Sequence, residues 1–135
     1  MLTAQQLNQY LGEIFPQSRH LKVEKSSHQQ LSVRLNVKTE HLRPGGTVSG
    51  PTLFAVADFA LYAAILAEHG EIALAVTTNM NINFFSKPQS DLDIIGVCQL
   101  LKVGKRLVVG EVSIYSDGSD QVVAHAVGTY SVPPQ

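Results

Sequence analysis

Alternating apolar and polar side chains predict extended structure along most of the chain. Five stretches have this pattern or are rich in strand-forming residues: 21–37, 76–84, 92–103, 107–116 and 121–132. The alternation is strictest over 30–37, which predicts a strand with one buried face. Turns at Gly104-Lys105 and Asp117-Gly118 separate the last three stretches, so these are predicted to be antiparallel neighbours.

Two other stretches have the character of helices. Apolar residues at three- and four-residue spacing predict a short helix over 4–14, capped by Thr3. A glycine-rich loop then leads into a long helix in which nearly every residue is apolar. Pro51 suits its first position and Gly70 its end. A helix that is apolar on all sides is expected to be buried on all sides.

Asp58, in the middle of that helix, is the residue that calls for an explanation. Its helical neighbours are Phe54, Ala55, Leu61 and Tyr62, none of which can pair with a carboxylate. Because burial disfavours the charged form, Asp58 needs partners from another segment. Two hypotheses stay open at this point: a structural acid tied to basic or backbone groups, and a catalytic carboxylate in the wall of a pocket.

The order of elements predicts an α+β fold. Five or six long antiparallel strands form one sheet that curls around the long apolar helix, an arrangement called the hotdog fold. The length of 135 residues predicts a single domain over 1–135. Since an open sheet leaves unpaired strand edges, we expect a homodimer or a dimer of dimers.

Composition and charge indicate which partners and which cellular compartment to expect. The net charge of −1 argues against nucleic acid as a partner. Cys98 is the single cysteine, so no intramolecular disulfide forms and a reducing compartment is expected. The first residues lack the basic and apolar regions of a signal peptide, and the long helix is short for a membrane span and carries Asp58. We therefore expect a cytoplasmic protein with no membrane partner.

Three segments together resemble a known family. These are 41–58, the run Asn-Met-Asn-Ile-Asn-Phe-Phe-Ser-Lys-Pro at 79–88, and 104–130. They are similar to the PaaI-like branch of the hotdog acyl-CoA thioesterases, in the 4-hydroxybenzoyl-CoA thioesterase superfamily. In that branch a loop ending in His-Gly-Gly leads into the central helix, an acid follows, and a strand resembling Asn-Ile-Asn-Tyr ends in a proline-containing turn.

The resemblance implies roles for particular residues. Asp58 matches the family's catalytic acid, which acts as a general base on water or as a nucleophile on the thioester. Gly50 matches the glycine whose N–H holds the thioester oxygen at the positive end of the helix. Thr77 or Thr78 resembles the hydroxyl residue that positions the water. The family shares its site between subunits, which implies that Asp58 and Thr77 come from different chains.

The chain also departs from the family pattern. Ser49-Gly50-Pro51 stands where the family has His-Gly-Gly, and Pro51 removes one N–H from the helix start. Arg43 aligns with a frequent asparagine that contacts the substrate; as an arginine it suits a carboxylate or a phosphate. These changes motivate an alternative function, a non-catalytic module that binds an acyl-CoA or a fatty acid. Hydration or dehydration of acyl thioesters is a weaker alternative, because Ser49 stands where those enzymes place a histidine.

Further residues are candidates for the substrate site. Phe54 and Tyr62 are expected to line an acyl pocket on the helix. The basic turn residues Lys105 and Arg106 are candidates for the phosphates of coenzyme A, with ordinary solvated turn chemistry as the alternative. The asparagines of 76–84, Asn79 among them, are expected to lie on one face of the sheet or at a contact between subunits.

The remaining reactive side chains are assigned structural roles. His41 lies in a loop, His125 alternates with valines on a strand, and Cys98 sits in an apolar strand. No histidines, cysteines or acids have metal-ligand spacing, so neither a metal nor a cofactor is predicted. The predicted function is hydrolysis of an acyl-CoA thioester to a free acid and coenzyme A. The sequence leaves three questions open: which acyl group is hydrolysed, whether the protein is a dimer or a tetramer, and whether the carrier is coenzyme A or an acyl carrier protein.

Overall fold

The computed structural model of the chain describes residues 1–71 and 73–134. It contains the α-helices α1 (Ala4–Ile14) and α2 (Gly50–His69) and two short 3₁₀ turns, Pro16–Ser18 and Thr39–His41. The strands are β1 (Leu21–Ser27), β2 (Gln30–Leu35), β3 (Val76–Phe84), β4 (Ile94–Val103), β5 (Leu107–Ser116) and β6 (Ala124–Ser131). The helix predicted over 4–14 and the strands predicted over 76–84 and 107–116 are confirmed residue for residue.

Within the described residues the strands form one six-stranded sheet in the order β1-β2-β4-β5-β6-β3. All neighbours are antiparallel, and the pairing of β4 with β5 and of β5 with β6 confirms the two predicted turns. Helix α2 packs across one face of the sheet and gives the core its centre. This is the predicted hotdog arrangement of the α+β class, with β1 and β3 at the sheet edges.

Local chemistry sets both ends of α2. The Ser49 side chain accepts a hydrogen bond from the Thr52 N–H and caps the first turn. The helix begins at Gly50, so Pro51, predicted to be first, is its second residue. Gly70 ends the helix as predicted, at a φ of 91° that favours glycine.

One stripe of α2 is not covered by the rest of the chain. Pro51, Phe54 and Ala55 are exposed, and Asp58 and Tyr62 are half-buried. The prediction that the helix is buried on all sides is therefore wrong for this stripe, although it holds for the other faces. The helix is long and apolar enough to cross a membrane by length and composition alone, and 67% of its most apolar window is buried inside the protein.

Two strand glycines bring α2 close to the sheet. A Cβ on Gly110 would lie 2.6 Å from Cδ1 of Leu61, and a Cβ on Gly128 would lie 2.8 Å from Cδ2 of the same side chain. The two glycines are opposite each other on β5 and β6, so together they form a recess that receives Leu61. This recess fixes the middle of α2 above β6, one helical turn after Asp58.

A bulge in β3 decides which of its hydroxyls faces the helix. Thr77 pairs with Tyr130, but the next pairing on β3 is at Asn79, so Thr78 is the extra residue. Without the bulge, Thr77 and Met80 would point to opposite faces. With it, both point toward α2, where Met80 packs against the core.

Candidate functional site

Asp58 lies where β3 and β6 pass beneath α2. Thr77 and Tyr130 are direct partners in the β3–β6 ladder, and both side chains reach the same carboxylate oxygen. The Thr77 hydroxyl donates to Oδ1 of Asp58 at 2.7 Å, and the Tyr130 hydroxyl donates to it at 2.8 Å. Oδ2 has no partner among the described residues, so it is the carboxylate oxygen left for chemistry.

The Tyr130 hydroxyl is held firmly. The residue is 4% exposed, and its ring stacks on Tyr62 with centroids 5.8 Å apart and planes at 21°. Burial raises the pKa of Tyr130, as does the neighbouring Asp58 carboxylate, so the phenol keeps its proton and remains a donor. Tyr62 in turn donates to the backbone oxygen of Ala73 at 2.8 Å, which holds the stacked pair against the start of β3.

A cavity of about 600 Å³ opens beside Asp58. Its volume is in the range of small-molecule sites. Part of its wall comes from the N-terminal segment, which the sequence reasoning did not connect with the site. Apolar and aromatic side chains form most of the lining: Ile14, Phe15, Leu21, Phe59, Tyr62 and Ala75.

Most polar side chains of this cavity already form hydrogen bonds within the chain. Thr77 and Tyr130 donate to Asp58, and the Ser18 hydroxyl donates to the Phe15 carbonyl at 2.7 Å. Of the cavity's side chains in the described part of the chain, Asp58 alone carries a charge, and Gln17 is the remaining polar group. The cavity is thus lined by one carboxylate, whose Oδ2 has no partner among the described residues, in mostly apolar surroundings.

The other predicted catalytic group lies at the N-terminus of α2. Pro51 has no N–H, the Thr52 N–H bonds to the Ser49 side chain at 3.3 Å, and the Leu53 N–H bonds to the Ser49 carbonyl at 3.1 Å. Within residues 1–71 and 73–134, the Gly50 N–H has no acceptor. It is therefore the free backbone donor at this positively polarised helix end.

Gly50 and Asp58 are too far apart to act together within one chain. Asp58 follows Gly50 by eight positions on the same helix, which is about 12 Å along its axis. Gly50 does not line the cavity beside Asp58, whereas Asp58, Thr77 and Tyr62 do. One chain therefore brings three of the predicted site residues together and leaves Gly50 at a second place.

Comparison with known proteins now decides the family. A model described as the thioesterase superfamily matches residues 45–123, more than half of the chain. The chain belongs to the thioesterase superfamily. It is a thioester hydrolase, and the predicted PaaI-like hotdog relationship is confirmed.

Similar proteins agree with this membership. A proposed thioesterase from Silicibacter sp. TM1040 has a crystal structure with a TM-score of 0.93 and 44% identity, covering 99% of this chain and 94% of that one. A proposed esterase of Saccharolobus solfataricus is 30% identical, over 98% of this chain and 87% of that protein. PaaI of E. coli, from the phenylacetic acid degradation operon, has a TM-score of 0.84 at 20% identity, covers 97% of this chain and 94% of that one, and so shares the fold.

One implication drawn from the thioesterase resemblance is wrong for this chain. Asp58 and Thr77 were expected to come from different subunits, yet they bond within one chain. The bulge in β3 is the reason, because it turns Thr77 toward the helix of its own chain. Thr78, the other candidate, donates to the Thr129 carbonyl at 3.1 Å and does not reach Asp58.

Several residues that the thioesterase resemblance singled out lie away from the cavity. Ser49 spends its hydroxyl on the helix cap, with Oγ 2.7 Å from Thr52 Oγ1. Phe54 is exposed and does not line the cavity beside Asp58, contrary to expectation, because it lies on the other side of the exposed stripe. Asn79 and Arg43 are exposed, and the Arg43 backbone forms a turn closed by Thr47 at 2.9 Å.

Lys105 and Arg106 lie beside His69 at the C-terminal end of α2. They line a surface cavity of about 370 Å³ in the β4–β5 turn region. His69 is 11 residues beyond Asp58, about 16 Å along the helix axis. Their assignment to the phosphates of coenzyme A stays a prediction.

Pro51 lines a separate cavity of about 280 Å³ that also contains His20, Glu40 and His41. The ligand atoms of these three residues lie within 4.8 Å of one another, and His20 Nε2 is 2.9 Å from Glu40 Oε1. The Lys38 N–H, however, donates to Nδ1 of His41 at 2.8 Å. Neutral His41 then carries its proton on Nε2, which leaves neither ring nitrogen free for a metal.

The other reactive side chains have structural surroundings. His125 bonds Glu111 at 2.8 Å on the sheet face opposite α2. Cys98 is fully buried, and burial raises the pKa of its thiol to about 12, so it is not a nucleophile.

Tyr130 is the site residue that sequence reasoning missed. A signal was present in β6, where Ala124, Ala126 and Gly128 share the buried face and Tyr130 follows them on that face. Three small residues followed by a large polar one indicate that the hydroxyl reaches past the strand toward the helix.

Proposed function

We propose that the chain hydrolyses an acyl-CoA thioester, with Asp58 as the general base on water. The observation that carries this proposal is the asymmetry of the Asp58 carboxylate. Hydroxyls of Thr77 and Tyr130 hold Oδ1, while Oδ2 has no partner among the described residues, and Asp58 lines a mostly apolar cavity. A carboxylate with one immobilised oxygen is suited to take a proton in a fixed direction.

The proposed reaction balances as a hydrolysis. Oδ2 of Asp58 takes a proton from water, and the water oxygen bonds to the thioester carbonyl carbon. The resulting oxyanion accepts a hydrogen bond from the Gly50 N–H. When the intermediate collapses, the C–S bond breaks, and the thiolate leaves and receives the proton from Asp58. Thr77 spends its only O–H on Oδ1, so it helps the water by accepting a hydrogen bond from it.

The proposed oxyanion donor comes from a second copy of the chain. Because Gly50 and Asp58 of one chain are about 12 Å apart on one helix, they cannot reach the same carbonyl. Two α2 helices packed antiparallel along their exposed stripes would bring Gly50 of each chain to Asp58 of the other. The exposed apolar stripe and the open β3 edge, with Val76 and Phe84 exposed, support a homodimer.

The cavity beside Asp58 is the proposed acyl pocket. No cation lines it in the described part of the chain, and its hydroxyls already have acceptors. An acyl group with its own carboxylate would place a second negative charge near Asp58 with nothing to balance it. We therefore propose an uncharged acyl group, with Arg43, Lys105 and Arg106 as the candidates for the coenzyme's phosphates.

The test is release of free thiol from uncharged acyl-CoA thioesters by the wild type and by Asp58→Asn. Asparagine keeps an oxygen for Thr77 and Tyr130 but cannot take the proton, so kcat should fall by about 10²- to 10⁴-fold. Thermal unfolding of both proteins provides the folding control. Equal turnover in the two proteins would remove Asp58 from the reaction.

A second candidate function is a binding module for an acyl-CoA or a fatty acid. It is favoured by Pro51, which leaves Gly50 as the free N–H at the helix start in the described chain. Calorimetric binding of an acyl-CoA, with no thiol released over hours by the well-folded wild type, would support this module.

The buried Cys98 fits a reducing compartment, and we propose a cytoplasmic location.

A further inference from the structure

We propose that Tyr130 is the positioning residue of the site, which anchors Oδ1 of Asp58 so that Oδ2 alone faces water and substrate. This inference rests on the proposed function of Asp58 and adds a residue to it.

The geometry separates Tyr130 from Thr77 as an anchor. Both donate to Oδ1, at 2.8 and 2.7 Å, from directly paired positions on β6 and β3. Thr77 lies on the edge strand β3, and in the single chain its side chain is exposed. Tyr130 is 4% exposed on an interior strand and is stacked on Tyr62. Within one chain, the tyrosine is therefore the more closely packed of the two donors.

The chain of contacts continues behind Tyr130. The Tyr62 ring lies against the Tyr130 ring on one side and meets Phe15 edge-on, with centroids 6.3 Å apart. The Tyr62 hydroxyl bonds to the Ala73 carbonyl. The orientation of the Asp58 carboxylate is thereby tied to α1 and to the segment that precedes β3.

Tyr130 acts without transferring a proton. Buried and beside a carboxylate, the phenol remains protonated as the pH rises, so it is neither acid nor base in the reaction. Of the described side chains around the cavity, only Asp58, Tyr62 and Tyr130 ionise. Asp58 is the one carboxyl among these described side chains, so a change in the acidic limb that is confined to a Tyr130 variant would point to Asp58.

The test compares Tyr130→Phe with the wild type. Phenylalanine keeps the ring and its stacking but removes the donor to Oδ1. We expect kcat to fall by about 10- to 100-fold, as for the loss of one hydrogen bond to a charged group, with KM within about twofold. The acidic limb of the kcat profile should move to higher pH, because the charged carboxylate loses a donor.

Tyr115→Phe is the matched control. Tyr115 lies on β5, on the sheet face opposite α2, and its hydroxyl is not part of the site. This variant should keep wild-type kcat and the wild-type pH profile. A Tyr130→Phe enzyme with an unchanged kcat and an unchanged acidic limb would overturn the proposal, even if its melting temperature fell.

A measurement without turnover separates this inference from the proposed function. The carboxyl of Asp58, labelled with ¹³C, can be titrated by NMR in both proteins. A midpoint at higher pH in Tyr130→Phe supports the anchoring role even if the wild type hydrolyses no thioester. Identical titration curves would overturn that role even if thiol release depends on Asp58.

Discussion

Thr77 donates a 2.7 Å hydrogen bond to the Asp58 carboxylate of its own chain, across 19 residues of sequence. The contact exists because the bulge at Thr78 rotates the start of β3 by one side-chain position. The Asp58 carboxylate and both of its donors, Thr77 and Tyr130, are therefore brought together by the fold of a single chain, before any second copy is added.

Replacement of Thr77 tests the hydroxyl in this contact. Thr77→Val keeps the β-branched shape and removes the donor, so kcat should fall by about tenfold while the melting temperature changes little. Thr77→Ser restores the hydroxyl and should recover most of the rate. Steady-state thiol release at saturating substrate measures both effects, and equal rates for valine and serine would argue against a role for the hydroxyl.

Gly50 offers an unusually specific test of the proposed oxyanion donor. Gly50→Pro removes the N–H at the first helical position, where proline is favoured, and Ser49 already has the extended backbone (ψ 154°) that a following proline needs. We expect a loss of about 10²- to 10³-fold in kcat. Because residue 50 is helical and precedes Pro51, a Cβ there is disfavoured, and some loss of stability is expected as well. Gly50→Ala keeps the N–H and also places a Cβ before Pro51, so it is the control for any loss of stability. Apart from the chain neighbours, this Cβ would meet the Phe84 ring at 3.5 Å, and kcat should stay close to the wild-type value.

The same variants test whether the site is shared. If Gly50 of one chain serves Asp58 of the other, a mixed dimer of Gly50→Pro and Asp58→Asn chains contains one intact site. Unfolding and refolding the two inactive proteins together should then restore a substantial fraction of wild-type activity. If each chain supplied its own donor, every site in the mixture would carry a defect, and the mixture would stay inactive.

The cavity beside Asp58 is predicted to prefer acyl groups that carry no charge. A linear uncharged acyl-CoA should be hydrolysed at least about 100-fold more efficiently than succinyl-CoA, because the pocket has no partner for a second carboxylate. Gln17→Arg places a cation at the wall of the cavity and should narrow that ratio by about tenfold or more. Gln17→Met, of similar length and uncharged, is the control and should leave the ratio high.

More of the fold than of the candidate site could be predicted from the sequence. Period-two patterning and turn residues predicted β4, β5 and β6 as neighbours, and capping residues predicted the ends of both helices nearly to the residue. The partner of β3 was not predictable, because β3 and β6 are distant in sequence and no turn joins them. Simple alternation from Met80 would even have favoured Thr78 over Thr77, since a bulge leaves no mark in the pattern.

The lining of the cavity was not predictable either, because its residues are distant from one another in the sequence. Asp58 was identifiable as an anomaly because a carboxylate in an apolar helix needs a partner. The identity of that partner depends on which strand passes beneath the helix, and Tyr130 is 72 residues away. Phe15 and Leu21 look like ordinary apolar residues of an N-terminal segment; only the tertiary packing makes them part of the wall.

His41 provides a prediction about stability rather than catalysis. Burial lowers the pKa of His41, and the nearby side chains of His20, Arg19 and Lys38 lower it further against the opposing effect of Glu40. The folded state therefore binds a proton at lower pH than the unfolded state, whose histidine titrates near about 6.5. Protonation also removes the Nδ1 acceptor of the Lys38 N–H.

The sign of the effect follows from this difference. Above the unfolded pKa both states hold a neutral His41, and its contribution to stability is fully present. As the pH falls below about 6.5, the unfolded state gains a proton first, so the free energy of unfolding decreases until the folded state is protonated too. His41→Asn keeps an acceptor near the Lys38 N–H but does not titrate. Denaturant unfolding from pH 8 to pH 5 should show a steeper loss of stability in the wild type than in this variant. Parallel curves would show that the environment of His41 has no effect on folding.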